Sequence, residues 1–269
     1  MHERPLDPDA LRYAHHWEPL LAGPARRALA RIDVEPAVFL DVGAGTGGLV
    51  ASAAERWPRA RIVALDATAA MLSVGRWRLA QERPAELDRF EWLAADALDM
   101  PLEDGSVDAV LSSFVLQLVD DRAALLAEMR RVLRPGGALS IVTWQADELA
   151  VGADAVFDEL VRETSPTSPQ DPLRPSRAGD DQTADELADE LVAAGYRDIE
   201  VIGDALHHAW SREGYLEHKQ HYDERDLFES LEDAARKALL DSLRRRWATL
   251  PDAAFELHAP LLAATARRP

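Results

Sequence analysis

The sequence contains no cysteine. That excludes disulfides, thiolate metal sites and a cysteine nucleophile. It contains no apolar run near the roughly 18 residues that a membrane-spanning helix needs. Its opening residues, Met1-His2-Glu3-Arg4-Pro5-Leu6-Asp7, hold no apolar signal segment. Positive charge is in short supply: 30 Lys and Arg face 48 Asp and Glu, for a net charge of −18. A field of that sign repels phosphate backbones. The expectation is a cytoplasmic protein with neither a nucleic acid nor a membrane as partner. Arg244-Arg245-Arg246 is the only dense basic cluster. On a helix its three members spread over different faces and read as solvated surface.

Several catalytic signatures are missing as well. There is no Gly-x-Ser-x-Gly elbow, no Walker loop with its lysine, and no His-Glu-x-x-His pair. His207 and His208 are adjacent, so on a strand they point to opposite faces. His218 and His221 are three apart on one helix face and could meet a metal, but no His-Glu-x-x-His pattern accompanies them, and no metal is expected. What remains is a chain of 269 residues, 47% of them hydrophobic. That is enough for one large α/β domain, with or without a cap.

The stretch that organises the chain is Val38-Phe39-Leu40-Asp41-Val42-Gly43-Ala44-Gly45-Thr46-Gly47-Gly48. An apolar run of strand length leads into four glycines within six residues, and Leu49 to Arg56 then reads as a helix. Strand, glycine turn and helix is a geometry in which backbone N–H groups and a helix N-terminus can face a ligand. Gly43, Gly45 and Gly48 satisfy the dinucleotide pattern G-x-G-x-x-G, so NAD is one reading of this turn. Asp41 points elsewhere, because a carboxylate at the strand end repels a pyrophosphate and attracts an ammonium group.

Leu40-Asp41-Val42-Gly43-Ala44-Gly45-Thr46-Gly47 resembles the first motif of the class I S-adenosylmethionine-dependent methyltransferases, in their small-molecule, type 11 or UbiE-like group. The resemblance extends through "ADALDMPLEDGSVDAVLSSFVLQLVDD" and "RRVLRPGGALSIVTW", so that it covers residues 38–144 in order. Ala44 stands where many members have cysteine. The resemblance implies S-adenosyl-L-methionine as cofactor, with Asp41, Gly43, Ala44, Gly45 and Gly47 around its amino acid end. Asp66 ends the second strand, about 20 residues past the turn, where a carboxylate accepts from both ribose hydroxyls. Its structural alternative is an N-cap for the following helix. Ala67 and Met71 come next, and Met71 either touches the adenine edge or packs in the core. Asp96-Ala97 follows the third strand and resembles the family's adenine-reading step. Ser113-Phe114-Val115-Leu116-Gln117, at the end of the fourth strand, faces cofactor and substrate. Asp108, at that strand's start, is structural.

The expected fold is α/β: a Rossmann-like, seven-stranded, mostly parallel sheet with helices on both faces and a helical cap. Strands are expected at 60–65, 90–94, 107–113, 138–144, 198–202 with a continuation through 207–210, and 255–266. Residues 1–35 read as an N-terminal helical lid, broken at Pro19 and resuming at Ala25. Its Tyr13, His15, His16 and Trp17 either meet ligand or pack on the sheet. Residues 36–145 form the cofactor-binding core. Residues 146–182, with Pro166, Pro169, Pro172 and Pro175, read as a flexible acidic loop, preceded within it by a short helix over 153–162. Residues 183–210 continue the core, 211–250 form a helical substrate cap, and 251–269 bring the final strand. Asp120 or Asp121, and Thr183, are candidate helix caps.

The expected function is methyl transfer to a small-molecule acceptor at oxygen, nitrogen or carbon. The alternatives are an NAD-dependent oxidoreductase, or a member that keeps the cofactor site without methyl transfer. No catalytic base can be singled out: His15, His16, His207, His218 and His221 all qualify. Trp17, Phe114 and Trp144 are the aromatic rings that suit a sulfonium. If Asp66 meets a ribose, Asp66→Ala weakens cofactor binding more than Asp108→Ala. Titration calorimetry on both variants, with folding checked by circular dichroism, tests this, and equal losses would remove the ribose assignment.

Overall fold

The computed structural model describes residues 5–145, 151–164 and 182–269. The four prolines of the segment read as a flexible loop lie outside the described residues. The chain opens with α1 (Pro8–Arg12), a π-helical turn (Tyr13–Trp17) and α2 (Glu18–Ala30). Pro19 lies in the first turn of α2, where a missing N–H costs nothing. The irregularity expected at Pro19 sits just upstream, in the π-helical turn. The helix then runs through Pro24 instead of restarting at Ala25.

Seven strands follow: β1 (Val38–Val42), β2 (Arg61–Asp66), β3 (Phe90–Ala94), β4 (Val107–Ser113), β5 (Leu133–Trp144), β6 (Arg197–Ala209) and β7 (Glu256–Arg267). They form one sheet in the order β3-β2-β1-β4-β5-β7-β6. The pairs from β3 through β5 are parallel, and β7 is antiparallel to β5, so the sheet is mixed. Parallel neighbours need crossovers. Helices α3 (Gly48–Arg56), α4 (Ala69–Glu82) and α5 (Arg122–Val132) provide them. Next come α6 (Asp154–Thr164), α7 (Ala184–Ala193), α8 (Arg212–His218), a second π-helical turn (Lys219–Asp223), α9 (Arg225–Ser230) and α10 (Asp233–Trp247). Of the two candidates Asp120 and Asp121, Asp121 caps α5, and Thr183 caps α7 within a full capping box.

Alternation along β1 sorts its residues onto two helical layers. Leu40 and Val42 pack with Leu125, Leu126, Met129 and Val132 of α5 and with Leu187 and Leu191 of α7. Phe39 points the other way, its ring 5.1 Å from that of Trp57 at the end of α3. On that same side, the Ser140 hydroxyl of β5 donates to the Ala28 carbonyl of α2 at 2.9 Å. Asp41, two residues on from Phe39, therefore faces α2 and α3.

Three local details locate the loops. Asp108 accepts from the N–H groups of Ala37 and Val38 at 2.5 and 2.8 Å and pairs with Arg134 at 2.5 Å, so it fixes the entry to β1. Pro135-Gly136-Gly137, just ahead of the strand expected at 138–144, forms a bulge inside the longer β5. Leu133 already pairs with Val107, Ala138 with Ala109, and the Gly136 N–H donates to the Arg268 carbonyl at 2.8 Å. Gly75 of α4 lies against Trp92 of β3. A Cβ there would come within 2.8 Å of the indole and 3.0 Å of the Thr46 carbonyl carbon.

The chain divides into two compact units: Met1–Ala146 with Gly179–Ala205 and Pro260–Pro269, and Asp147–Ala178 with Leu206–Ala259. The N-terminal helices belong to the first. The second takes in more than the 211–250 stretch read as a cap. In the second unit the Lys219 side chain is wholly buried. Its Nζ is 2.8 Å from the carboxylate of Asp154 and 3.2 Å from that of Asp223, and lies over the rings of Phe157 and Tyr215. The Tyr215 hydroxyl donates to Asp154 at 2.5 Å. Burial alone would lower the lysine pKa, but the charges of Asp223 and Asp154 outweigh it and raise it, so the ammonium is retained. Removing one partner of such a pair strands the others. Lys219→Ala is expected to cost about 3–5 kcal/mol, read as a lower midpoint in chemical denaturation. An unchanged midpoint would show that this pair does not hold α6 to the second π-helical turn.

Candidate functional site

Strand order reverses between β1 and β4, and in open α/β sheets ligands bind beyond the carboxyl ends of strands at that point. The residues singled out from the sequence fall on this edge in spatial order. Asp96 and Ala97 follow β3, Asp66 ends β2, Asp41 lies near the end of β1, and Ser113 ends β4. Asp41 pairs across the sheet with Ala64 on one side and Leu111 on the other.

Gly43, Gly45 and Gly47 all have positive φ. At Gly43 space forbids a side chain as well, since an added Cβ would run into the Val115 side chain. Five of the six N–H groups from Gly43 to Gly48 are engaged within the protein. Those of Gly43 and Ala44 both donate to the Leu65 carbonyl, and that of Gly47 to the Ala44 carbonyl. The Gly45 N–H donates to Asp66 Oδ2 at 2.8 Å. The Gly48 N–H, at the start of α3, donates to Glu18 Oε2 at 3.2 Å. Glu18 also accepts from the Thr46 hydroxyl and pairs with Arg78 at 2.5 Å. A carboxylate from α2 thus satisfies the helix N-terminus that the sequence pattern offered to a ligand.

Asp66 locks the turn and shapes its own exit, with its Oδ1 accepting from the Thr68 N–H at 2.8 Å. Each oxygen keeps a second acceptor position. Asp96 forms a similar local turn, accepting from the Leu98 N–H at 2.9 Å. It is exposed, as is Ala67, while Met71 and Ala97 are half-buried.

Asp41 is 2% exposed, and its Oδ2 has no hydrogen-bond partner. Burial, then the charges of Asp66 and Glu18, push its carboxyl up to about 8. It borders a cavity of about 60 Å³, lined also by Tyr13, Glu18, Arg26, Gly43, Ala44 and Ser113. Trp17 is not among the residues lining it, and neither is any histidine among the described residues. His15 and His16 pack edge to face at 4.6 Å. In the second unit His207 packs on His258, and buried His218 has Nε2 3.3 Å from Asp223. Burial, with a smaller effect of His218, holds His208 below the usual imidazole pKa.

Phe114 is held in the left-handed region at φ 58°, unusual for a bulky residue. Its N–H donates to the Val142 carbonyl at 2.8 Å, and its carbonyl accepts from Gln117 Nε2 at 2.6 Å. Gln117 in turn accepts from the Thr143 hydroxyl at 3.0 Å. This places the Phe114 ring 4.7 Å from that of Trp144, with both residues buried. Sequence reasoning named both aromatic rings. It missed Glu18 and Arg78, whose partners lie far along the chain and leave no local pattern.

The methyltransferase domain family matches residues 40–141. A malonyl-[acyl-carrier protein] O-methyltransferase of Xylella fastidiosa is 39% identical over 42% of this chain and 37% of its own length. A demethylmenaquinone methyltransferase of Roseiflexus castenholzii is 32% identical over 60% of this chain and 68% of its own. The chain therefore spans well under half of the first relative and about two thirds of the second. The fold is shared with phosphoethanolamine N-methyltransferase 2 of Haemonchus contortus, solved with S-adenosyl-L-methionine. That likeness has a TM-score of 0.55 at 20% identity and covers 97% of this chain and 56% of the other.

The buried carboxyl of Asp41 makes a testable demand on stability. Its folded pKa of about 8 exceeds the unfolded value of about 3.9. The stability it contributes is complete below pH ~4 and is lost as pH rises towards 8. Asp41→Asn is expected to remove this slope and to be the more stable protein, relative to wild type, at pH 8 than at pH 5. Urea midpoints at the two pH values check it, and parallel profiles would refute the shift.

Proposed function

Because the chain belongs to the class I S-adenosylmethionine-dependent methyltransferases, we propose that it transfers a methyl group from S-adenosyl-L-methionine to a small-molecule acceptor. The observation that carries this reading is the partnerless oxygen of Asp41 at the sheet's switch point, beside the glycine turn. A buried carboxylate needs a cation, and the cofactor's ammonium is one. A dinucleotide pyrophosphate would instead meet the carboxylates of Asp41 and Glu18 and a turn most of whose N–H groups are already engaged.

On this reading Asp41, Gly43, Ala44, Gly45 and Gly47 hold the amino acid end, Asp66 the ribose, and Ala67, Met71, Asp96 and Ala97 the adenine. Ser113 and Trp17 border the methyl side. When bound, the cofactor supplies a methyl group already activated by its sulfonium. The protein's work is then to bind, orient and exclude water. Phe114 and Trp144 offer aromatic faces that attract a cation. The strain at Phe114 fixes one of them in place. The proposed acceptor is a small molecule, since the acidic chain disfavours nucleic acid. The acceptors named for its relatives, malonyl-[acyl-carrier protein] and demethylmenaquinone, differ from each other. The matched domain, residues 40–141, holds the proposed cofactor residues other than Trp17.

Calorimetric titration with S-adenosyl-L-methionine, its demethylated product and NADH tests the proposal. Binding of the first two, with none of NADH, is expected. Below pH 8 that binding is expected to release a proton from Asp41, seen as a heat that varies with the buffer's ionisation enthalpy and is lost in Asp41→Asn. Tight NADH binding alone would overturn the cofactor assignment. Cofactor binding without methyl transfer to a broad acceptor panel would favour the family member that keeps its site for another use.

A further inference from the structure

We propose that Arg26 receives the carboxylate of the cofactor's amino acid end, while Asp41 takes its ammonium. The inference rests on the cofactor reading above and adds a residue that the glycine turn does not contain. An α-amino acid group brings a negative charge as well as a positive one. Its carboxylate would enter a region that already holds the carboxylates of Asp41, Asp66 and Glu18, the last two close enough to shift Asp41. Leaving a carboxylate there without a donor is costly.

The usual donors are already engaged. Five N–H groups between Gly43 and Gly48 donate within the protein. The N-terminus of α3 is occupied by Glu18, and Arg78 is committed to Glu18 and the Thr46 carbonyl. Among basic side chains this leaves α2. Arg27 is bound in a fork to Asp204 and donates to the Ala205 carbonyl at 2.7 Å. Arg26, its neighbour, is exposed, pairs with no carboxylate among the described residues, and lines the same cavity as Asp41 and Ser113. A guanidinium suits the task because its planar donors match a carboxylate in two parallel hydrogen bonds. Asp41 and Arg26 together would recognise a zwitterion.

The test uses the full chain and two ligands: S-adenosyl-L-homocysteine, and its decarboxylated analogue, which keeps the ammonium and lacks the carboxylate. Arg26→Leu is expected to weaken the first about 10- to 100-fold and to leave the second unchanged. Arg26→Lys is expected to restore part of the loss, and Arg27→Leu to change neither affinity. Equal losses for both ligands, or no loss for either, would overturn the role of Arg26 while leaving the cofactor reading intact. Failure of the wild-type protein to bind S-adenosyl-L-homocysteine would overturn both.

Discussion

A carboxyl group buried at the end of a central strand must be met by a cation or keep its proton. Asp41 is in that position, and much of the first unit follows from it. Its strand is covered on both faces, so water cannot solvate the charge. Asp66 and Glu18 add negative charge beside it, and Arg78 is spent on Glu18. The glycine turn keeps most of its N–H groups for its own conformation and for those two carboxylates. The edge of the sheet is therefore arranged for a positively charged visitor. A glycine pattern alone suits two cofactors of opposite charge. The acids around it separate them.

Features with a local cause could be read from the sequence. β3 and β4 match to the residue, because each is a short apolar run closed by turn residues. The caps Asp121 and Thr183 were legible for the same reason. The successive acids Asp41, Asp66 and Asp96 were legible because strand ends in a parallel sheet line up. Contacts between distant segments were not. Glu18 meets Thr46 and Gly48 across some thirty positions, with no periodicity to announce it. Nothing in the sequence singles out Lys219, and only the fold shows it enclosed by Asp154 and Asp223. The early start of β5 was hidden because a bulge and a turn use the same Pro-Gly-Gly residues.

The two units answer burial of charge differently. In the second, Lys219 is surrounded by carboxylates, and the Tyr215 hydroxyl engages Asp154, so the buried cation is met from within. In the first, one oxygen of Asp41 is left without a partner. A charge met in this way holds elements together, whereas one left unmet stores a preference for something from outside. The strained backbone at Phe114 belongs with the latter, since such conformations cost about 1–3 kcal/mol and persist only where neighbours enforce them.

The close approach of Gly47, Gly75 and Trp92 reaches beyond packing. The indole of Trp92 fills the space that a side chain at position 75 would need, and a Cβ at position 47 would lie 3.1 Å from the same ring. The shape of the glycine turn is thereby tied to a helix and a strand that supply none of its residues. Three sites separated in sequence share one volume, so none can enlarge alone. Kindred chains that replace the tryptophan with a smaller residue gain room for alanine or serine at position 75. Where the tryptophan stays, so must the glycine. Substitutions at these positions should travel as a set, and the turn's geometry should drift wherever the set is broken.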